Sequence, residues 1–261
     1  VVLDRKLWLG RGAAGEIGQE YCRKITESKF DCIGIVRNKK TSLKSAHYRE
    51  LTCNLDNEKE IASVFADVAF EKYDEIVFLH TIGTDRFDPR GYPEIKPMET
   101  IDCGVYNTNV NSFKYLLKYC VQRIETINQS VPDQINFRIA IIAGVGDKYA
   151  PFVIESFCEA KFILREYIRS CVSIHPEWIS GLSINISSTV TAAALKVRTM
   201  ADTSYWLTPK EVVDRSFDEL IASTKLYKEI DIIKYSPEFV ANYYTNNELL
   251  YKKWSKETGI F

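Results

Sequence analysis

The chain has 261 residues, 46% of them hydrophobic and 26% charged, with a formal net charge of −1. This is the profile of a globule with a sizeable core, and so small a net charge creates no global field favouring nucleic acid or an acidic membrane surface. No run of about 18 apolar residues occurs, the seven cysteines form no C-x-x-C pair, and His47, His80 and His175 are scattered. A membrane span, a disulfide framework and a metal centre are therefore not expected.

Several cysteines lie inside apolar runs, which reads as buried free thiols in a reducing compartment. With no visible signal peptide, a cytoplasmic protein is expected. The first residue is Val1, so a trimmed chain or one module of a longer polypeptide is anticipated.

Strand-length apolar runs alternate with helix-period stretches from end to end, which predicts a parallel sheet covered by helices on both faces. "KLWLG" (6–10) is the first strand, and "GEIGQEYCRKITES" (15–28) has helical character. "DCIGIV" (31–36) is the next strand, followed by a helix over 57–68 with Ile61, Val64, Phe65 and Val68 on one face. "DEIVFLH" (74–80) is again a strand, and the Pro-rich segment 84–97 reads as irregular. A long helix is predicted over 103–125, a strand over 137–144, a helix over 153–172 and a strand over 177–186. The helix at 208–223 has a full start signal: Thr208 to cap it, Pro209 at its first position and Glu211 to close a capping box. "EIDIIKY" (229–235) is a last strand before a polar, aromatic-rich helix. No repeat or linker interrupts this pattern, so residues 1–261 read as a single α/β domain, a three-layer Rossmann-like doubly wound parallel sheet.

"LGRGAAGEIG" (9–18) joins the first strand to the first helix. Gly10, Gly12 and Gly15 satisfy G-x-G-x-x-G, while Gly12, Gly15 and Gly18 satisfy G-x-x-G-x-x-G around Ile17. A backbone that must approach a pyrophosphate needs such positions free of Cβ atoms, and the helix start presents N–H groups to the anion. Placed between a strand and a helix, the loop predicts nucleotide binding rather than an ordinary turn. After the second strand the chain has Arg37, Lys39 and Lys40 where an acidic residue would accept bonds from the adenosine ribose. A guanidinium pairs with a 2′-phosphate, so NADP is favoured over NAD, with Arg11 a second candidate for that phosphate. A solvated basic turn is the alternative reading. In "CNLD" (53–56), Asn54 and Leu55 are candidates for the adenine pocket.

These features together resemble the short-chain dehydrogenase/reductase family over nearly the whole chain. In "HTIG" (80–83) only Gly83 is kept from that family's turn, and "YNTNVNSF" (106–113) places Asn109 where its helix asparagine is expected. "SINISSTVT" (183–191) resembles the segment covering the nicotinamide, with Ser187 and Ser188 replacing Pro and Gly and with Thr189 or Thr191 near the cofactor. The resemblance departs at the catalytic centre. Aligning "IAIIAG" (139–144) puts Gly144 at the serine position; Phe157, 13 residues on, takes the tyrosine's place, and Lys161 follows at +4. The only Tyr-x-x-x-Lys in the chain, Tyr92 to Lys96, contains Pro93 and is no helix turn.

In that family the tyrosine passes a proton to or from the substrate oxygen, the lysine holds the nicotinamide ribose and lowers the tyrosine's pKa, and the serine orients the carbonyl. Phenylalanine carries no such proton, and losing a positioned acid forfeits about 10²–10⁴ in rate. The resemblance thus implies catalytic roles for Lys161 and Asn109. Tyr149, in the loop "GVGDKYAP" with Asp147 and Lys148, is the candidate substitute acid, against the alternative of a tyrosine merely covering the pocket. His80 is a second titratable candidate. Arg86, Arg90 and Lys96 are candidates for an anionic substrate. The resemblance also implies a homodimer through the helices at 103–125 and 153–172. Two functions remain open: an NADP-dependent oxidoreductase with an altered site acting on a sugar or polyol derivative, and a catalytically silent nucleotide sensor or structural partner.

Overall fold

A computed structural model describes residues 5–38, 41–83, 102–149, 154–222, 226–234 and 245–259. Seven parallel strands form one sheet: β1 (Lys6–Arg11), β2 (Asp31–Val36), β3 (Tyr48–Thr52), β4 (Glu75–His80), β5 (Asn136–Gly144), β6 (Ile179–Ile186) and β7 (Tyr227–Ile232). Their spatial order is β3-β2-β1-β4-β5-β6-β7. The chain winds outward from β1 through β2 to β3, then returns to the other side of β1 at β4. Where the direction reverses, no connection covers the carboxyl ends of β1 and β4, and a crevice opens there.

The central strands have near-continuous apolar centres because both faces are covered. Leu7 and Leu9 of β1, Ile76 and Phe78 of β4, and Phe137, Ile139 and Ile141 of β5 point into one core layer. Their alternates Trp8, Val77, Leu79, Ala140 and Ile142 point into the other. The first layer is closed by α2 (Glu58–Val64), α4 (Ser112–Asn128) and α5 (Glu155–Ile174), which contribute Ile61, Phe113, Leu116, Leu164 and Ile168. The second is closed by α1 (Glu16–Glu27) and α7 (Pro209–Ile221), through Tyr21, Cys22, Ile25, Val212, Val213 and Phe217. The capping box of α7 forms as its residues dictate: the Thr208 hydroxyl accepts from the Glu211 N–H at 3.1 Å, and the Glu211 carboxylate accepts from the Thr208 N–H at 2.7 Å.

The expected helix over 103–125 forms without a gap but widens once along its length. It runs as α3 (Cys103–Tyr106), a wide π turn (Asn107–Asn111) and then α4. Two further elements carry no helical or strand pattern in their residues. β3 is a half-exposed edge strand, and α6 (Ala192–Val197) buries no residue of its own. The closing helix, α8 (Asn247–Thr258), is capped by Asn246, whose side chain accepts from the Leu249 N–H at 3.0 Å. Among the described residues no helix is long and apolar enough to cross a membrane.

Candidate nucleotide-binding site

A cavity of about 690 Å³ occupies the crevice. Arg37 and Asp56 border one end, the glycine loop its middle, and Lys161, Phe157 and Trp254 the other end. The loop is shaped by its glycines. Gly12 has φ +87°, in the left-handed region, and a Cβ there would lie 2.6 Å from the Thr81 hydroxyl. A Cβ at Gly18 would run into the carbonyl oxygen of Gly12, so α1 seats itself directly on the loop backbone. Gly15 closes the turn by donating its N–H to the Gly12 carbonyl at 2.9 Å. Gly10 lies inside β1, facing Cys22 rather than the cavity.

Arg11 departs from the expectation that it meets a 2′-phosphate. Its side chain is buried at the cavity wall and bonded across to the π turn. One guanidinium nitrogen lies 2.8 Å from Nδ1 of His80; the other donates to the Thr108 carbonyl at 2.9 Å and contacts the Ser112 hydroxyl. The wide turn directs the Thr108 carbonyl to this cation, which gives the widening a local physical role. Burial pulls the Arg11 guanidinium down to about 9, which leaves it protonated at neutral pH. A cation that only donates requires Nδ1 of His80 to accept, so the ring proton sits on Nε2. His80 is fully buried; burial first, then Arg11 and Lys161, hold it well below the usual histidine range. It is a neutral structural residue behind the cavity wall.

At the far end, Lys161 is 1% exposed and donates to the carbonyls of Ile82 at 2.8 Å and Ile142 at 2.9 Å. Its ammonium also lies 5.3 Å from the centroid of the Phe157 ring. That ring sits between two glycines, Gly83 and Gly144. A Cβ at Gly144 would lie 3.6 Å from one ring edge, and a Cβ at Gly83 would lie 3.2 Å from the other. Ile154, Cys158, Tyr251 and Trp254 pack with it. Apolar and aromatic groups therefore surround the Lys161 ammonium at this end of the cavity.

The short turn after β5 (Gly146–Tyr149) is anchored by Asp147, which accepts from the Gly144 N–H at 2.8 Å and pairs with Arg165. Burial pushes the Asp147 carboxyl upward, against the pull of Arg165. Arg165 also donates to Asn185 at 2.7 Å, and Lys148 reaches Asp231 at 2.7 Å. The outer wall is held by Arg198. It donates to Glu257 of α8 at 2.7 Å and to the Ser188 hydroxyl at 2.8 Å, and stacks between Trp206 and Trp254 at 4.3 and 4.6 Å.

The tertiary structure thus brings Arg11, Gly12, Gly15, Ile17, Gly18, Arg37, Leu55, Gly83, Gly144, Phe157, Lys161, Thr189 and Thr191 to one cavity. Three expected residues stand apart from its lining. Asn54 faces its own loop, accepting from the Asp56 N–H at 3.2 Å. Asn109 is fully buried in the π turn and donates to the Val105 carbonyl at 2.9 Å, while Ser112, one helical turn on, borders the cavity instead. Gly10 stays in the sheet. The side chain of Tyr149 lies outside the described residues, as do Lys39, Lys40, Arg86, Arg90 and the Tyr92–Lys96 pair. Glu16, Ser112, Arg198 and Trp254 belong to the lining without having been legible beforehand. Arg198 and Trp254 come from distant segments that no motif connects to the glycine loop.

No family model matches this sequence, and no curated protein matches it. Many solved structures share the fold. A 3-ketoacyl-(acyl-carrier-protein) reductase from Brucella melitensis, complexed with NADH, aligns over 87% of this chain and 97% of its own, with 13% identity and a TM-score of 0.67. A short chain dehydrogenase from Burkholderia cenocepacia, in complex with NADP, aligns over 96% and 97%, with 14% identity and a TM-score of 0.67. A 4-hydroxyisoleucine dehydrogenase complexed with NADH aligns over 87% and 96%, with 19% identity and a TM-score of 0.63. The likeness defines the class of fold: a Rossmann-like parallel sheet of the kind found in short-chain dehydrogenases and reductases.

Proposed function

We propose that this chain is an NADP-dependent oxidoreductase with an altered reactive centre, acting on a sugar or other polyol derivative. The observation that carries the reading is the continuity of one cavity, from Arg37 past the glycine loop to Lys161. It lies at the carboxyl ends of the strands where the sheet reverses direction, the usual place for a dinucleotide on such a fold. The residues fit that group: Gly15, at the start of α1, lines the cavity with little packed against its Cα, and Arg37 matches a 2′-phosphate in charge. The solved neighbours described above include proteins complexed with NADH or NADP. When bound, a nicotinamide dinucleotide supplies or takes the hydride.

The rest is the work of the chain. Leu55 borders the adenosine end, and Thr189 and Thr191 line the opposite wall. Lys161, held on two carbonyls, presents a fixed ammonium to a ribose hydroxyl. Phe157 and Trp254 exclude water at the reactive end but hold no titratable proton. Tyr149, close in sequence to the Gly144 backbone, is assigned the proton in its place. The chain acts in the cytoplasm as a homodimer through α4 and α5, where Phe162 is 54% exposed.

A second reading, a catalytically silent nucleotide sensor or structural partner, is favoured by the Phe157 ring lying against Gly83 and Gly144. Titration calorimetry with NADPH and NADH tests both. Micromolar NADPH binding that exceeds NADH binding and loses that preference in Arg37→Ala supports the cofactor reading; binding of neither refutes it. NADPH binding without turnover across a panel of carbonyls and alcohols supports the silent reading.

A further inference from the structure

The first residue of α1 carries a charge where the nucleotide reading needs none. Glu16 follows directly on the glycine loop and lines the cavity. Its carboxylate reaches across to the opposite wall, where it accepts from the Ala192 N–H at 2.7 Å. Ala192 opens α6, next to Thr191, which lines the same cavity. The chain's own anion therefore bridges the two walls between the adenosine end at Arg37 and the reactive end at Lys161.

A ligand spanning both ends has to pass through this bridge. The glycine loop leaves its backbone open for phosphate at Gly15, directly before Glu16. A phosphate arriving there meets a carboxylate that has already taken the Ala192 N–H. The side chain is exposed, so it can swing into solvent without disturbing the core. The swing forfeits a hydrogen bond to an ionised acceptor and still leaves a negative charge near the phosphates.

We propose that Glu16 is a specificity-determining residue of this cavity, a carboxylate latch that opposes phosphate-bearing ligands and must be displaced for a dinucleotide to bind. The proposal rests on the nucleotide reading of the same cavity. Its consequence is that the site discriminates by charge in the middle of the ligand, not at the ends. Adenosine, which has no phosphate, lies outside the reach of the latch. ADP-ribose and NADPH have to open it.

The test is calorimetry with adenosine, ADP-ribose and NADPH on the wild-type chain, Glu16→Gln and Glu16→Ala. Glu16→Gln keeps an oxygen for the Ala192 N–H and removes the charge, whereas Glu16→Ala removes both. The expected result is about tenfold tighter binding of ADP-ribose and NADPH in both variants, with adenosine unchanged. The gain should shrink at about 1 M salt, where the screening length falls to about 3 Å. Wild-type binding of NADPH with no gain in either variant overturns the latch and leaves the nucleotide reading standing. An equal gain for adenosine also overturns it, since that would mark a wider entrance and not a removed charge. Failure of every protein to bind any of the three ligands removes the nucleotide reading and the latch with it.

Discussion

His80 makes the stability of this fold depend on pH in a way that can be worked out from its partners. Its Nδ1 accepts from the Arg11 guanidinium at 2.8 Å, and its Nε2, which carries the proton, has no hydrogen-bond partner among the described residues. Protonation would set a new N–H against a donor-only cation, inside the core and near Lys161. The folded ring therefore titrates well below the ordinary value of 6.5, whereas the unfolded chain titrates close to it. Above about pH 6.5 both states are neutral, and the full stability is present. As the pH falls below that value the unfolded chain takes up a proton that the folded chain refuses, and stability is lost until the folded pKa is reached. For one proton the loss is about 1.4 kcal/mol per pH unit, or about 2 kcal/mol between pH 7.5 and pH 5. Urea unfolding of the wild type and of His80→Gln across this range isolates the effect, because the other groups titrate alike in both and cancel in the difference. The expected difference narrows by about 2 kcal/mol on acidification. A difference that stays flat would refute the buried neutral tautomer and the Arg11 contact from which it follows.

Two glycines should respond oppositely to alanine. Gly18→Ala drives a Cβ into the Gly12 carbonyl and should cost at least about 2 kcal/mol in thermal unfolding and abolish nucleotide binding, whereas Gly144→Ala meets only ordinary contacts at 3.6 Å and should cost less than about 1 kcal/mol. Asp147→Ala leaves Arg165 buried without its carboxylate, and denaturant unfolding should show a loss of about 3–5 kcal/mol. Thr208→Ala should lower stability by about 1 kcal/mol through the lost cap of α7. The Thr208 backbone N–H holds Glu211 below the usual carboxylate range. Its contribution is present above the unfolded pKa and lost as pH falls through the folded one, so Glu211→Gln should remove that acid dependence.

Much of the fold follows from local chemistry alone. Strands such as β1, β4 and β5 have near-continuous apolar centres because a parallel sheet is buried on both faces, and that pattern is legible without a structure. The start of α7 is equally local, since its capping box is formed by Thr208 and Glu211, three residues apart. β3 and α6 escaped the same reading because neither has a buried stripe to reveal it. The π turn between α3 and α4 escaped because the charge at that turn, Arg11, is 97 residues from Thr108 in the chain.

The candidate site divides along the same line. The glycine loop, Arg37, Phe157 and Lys161 are matters of residue type at short spacing, and the sequence by itself determined them. Which way a side chain turns is a tertiary matter. Arg11 reads as a phosphate ligand until His80, Thr108 and Ser112 are brought around it; a buried cation then satisfies its donors inward rather than facing solvent. Asn109 is drawn into the wide turn, while Glu16 is drawn out across the cavity to Ala192. Those choices depend on which donors and acceptors the packed sheet places within about 3 Å of one another. Residue order alone does not carry that distance.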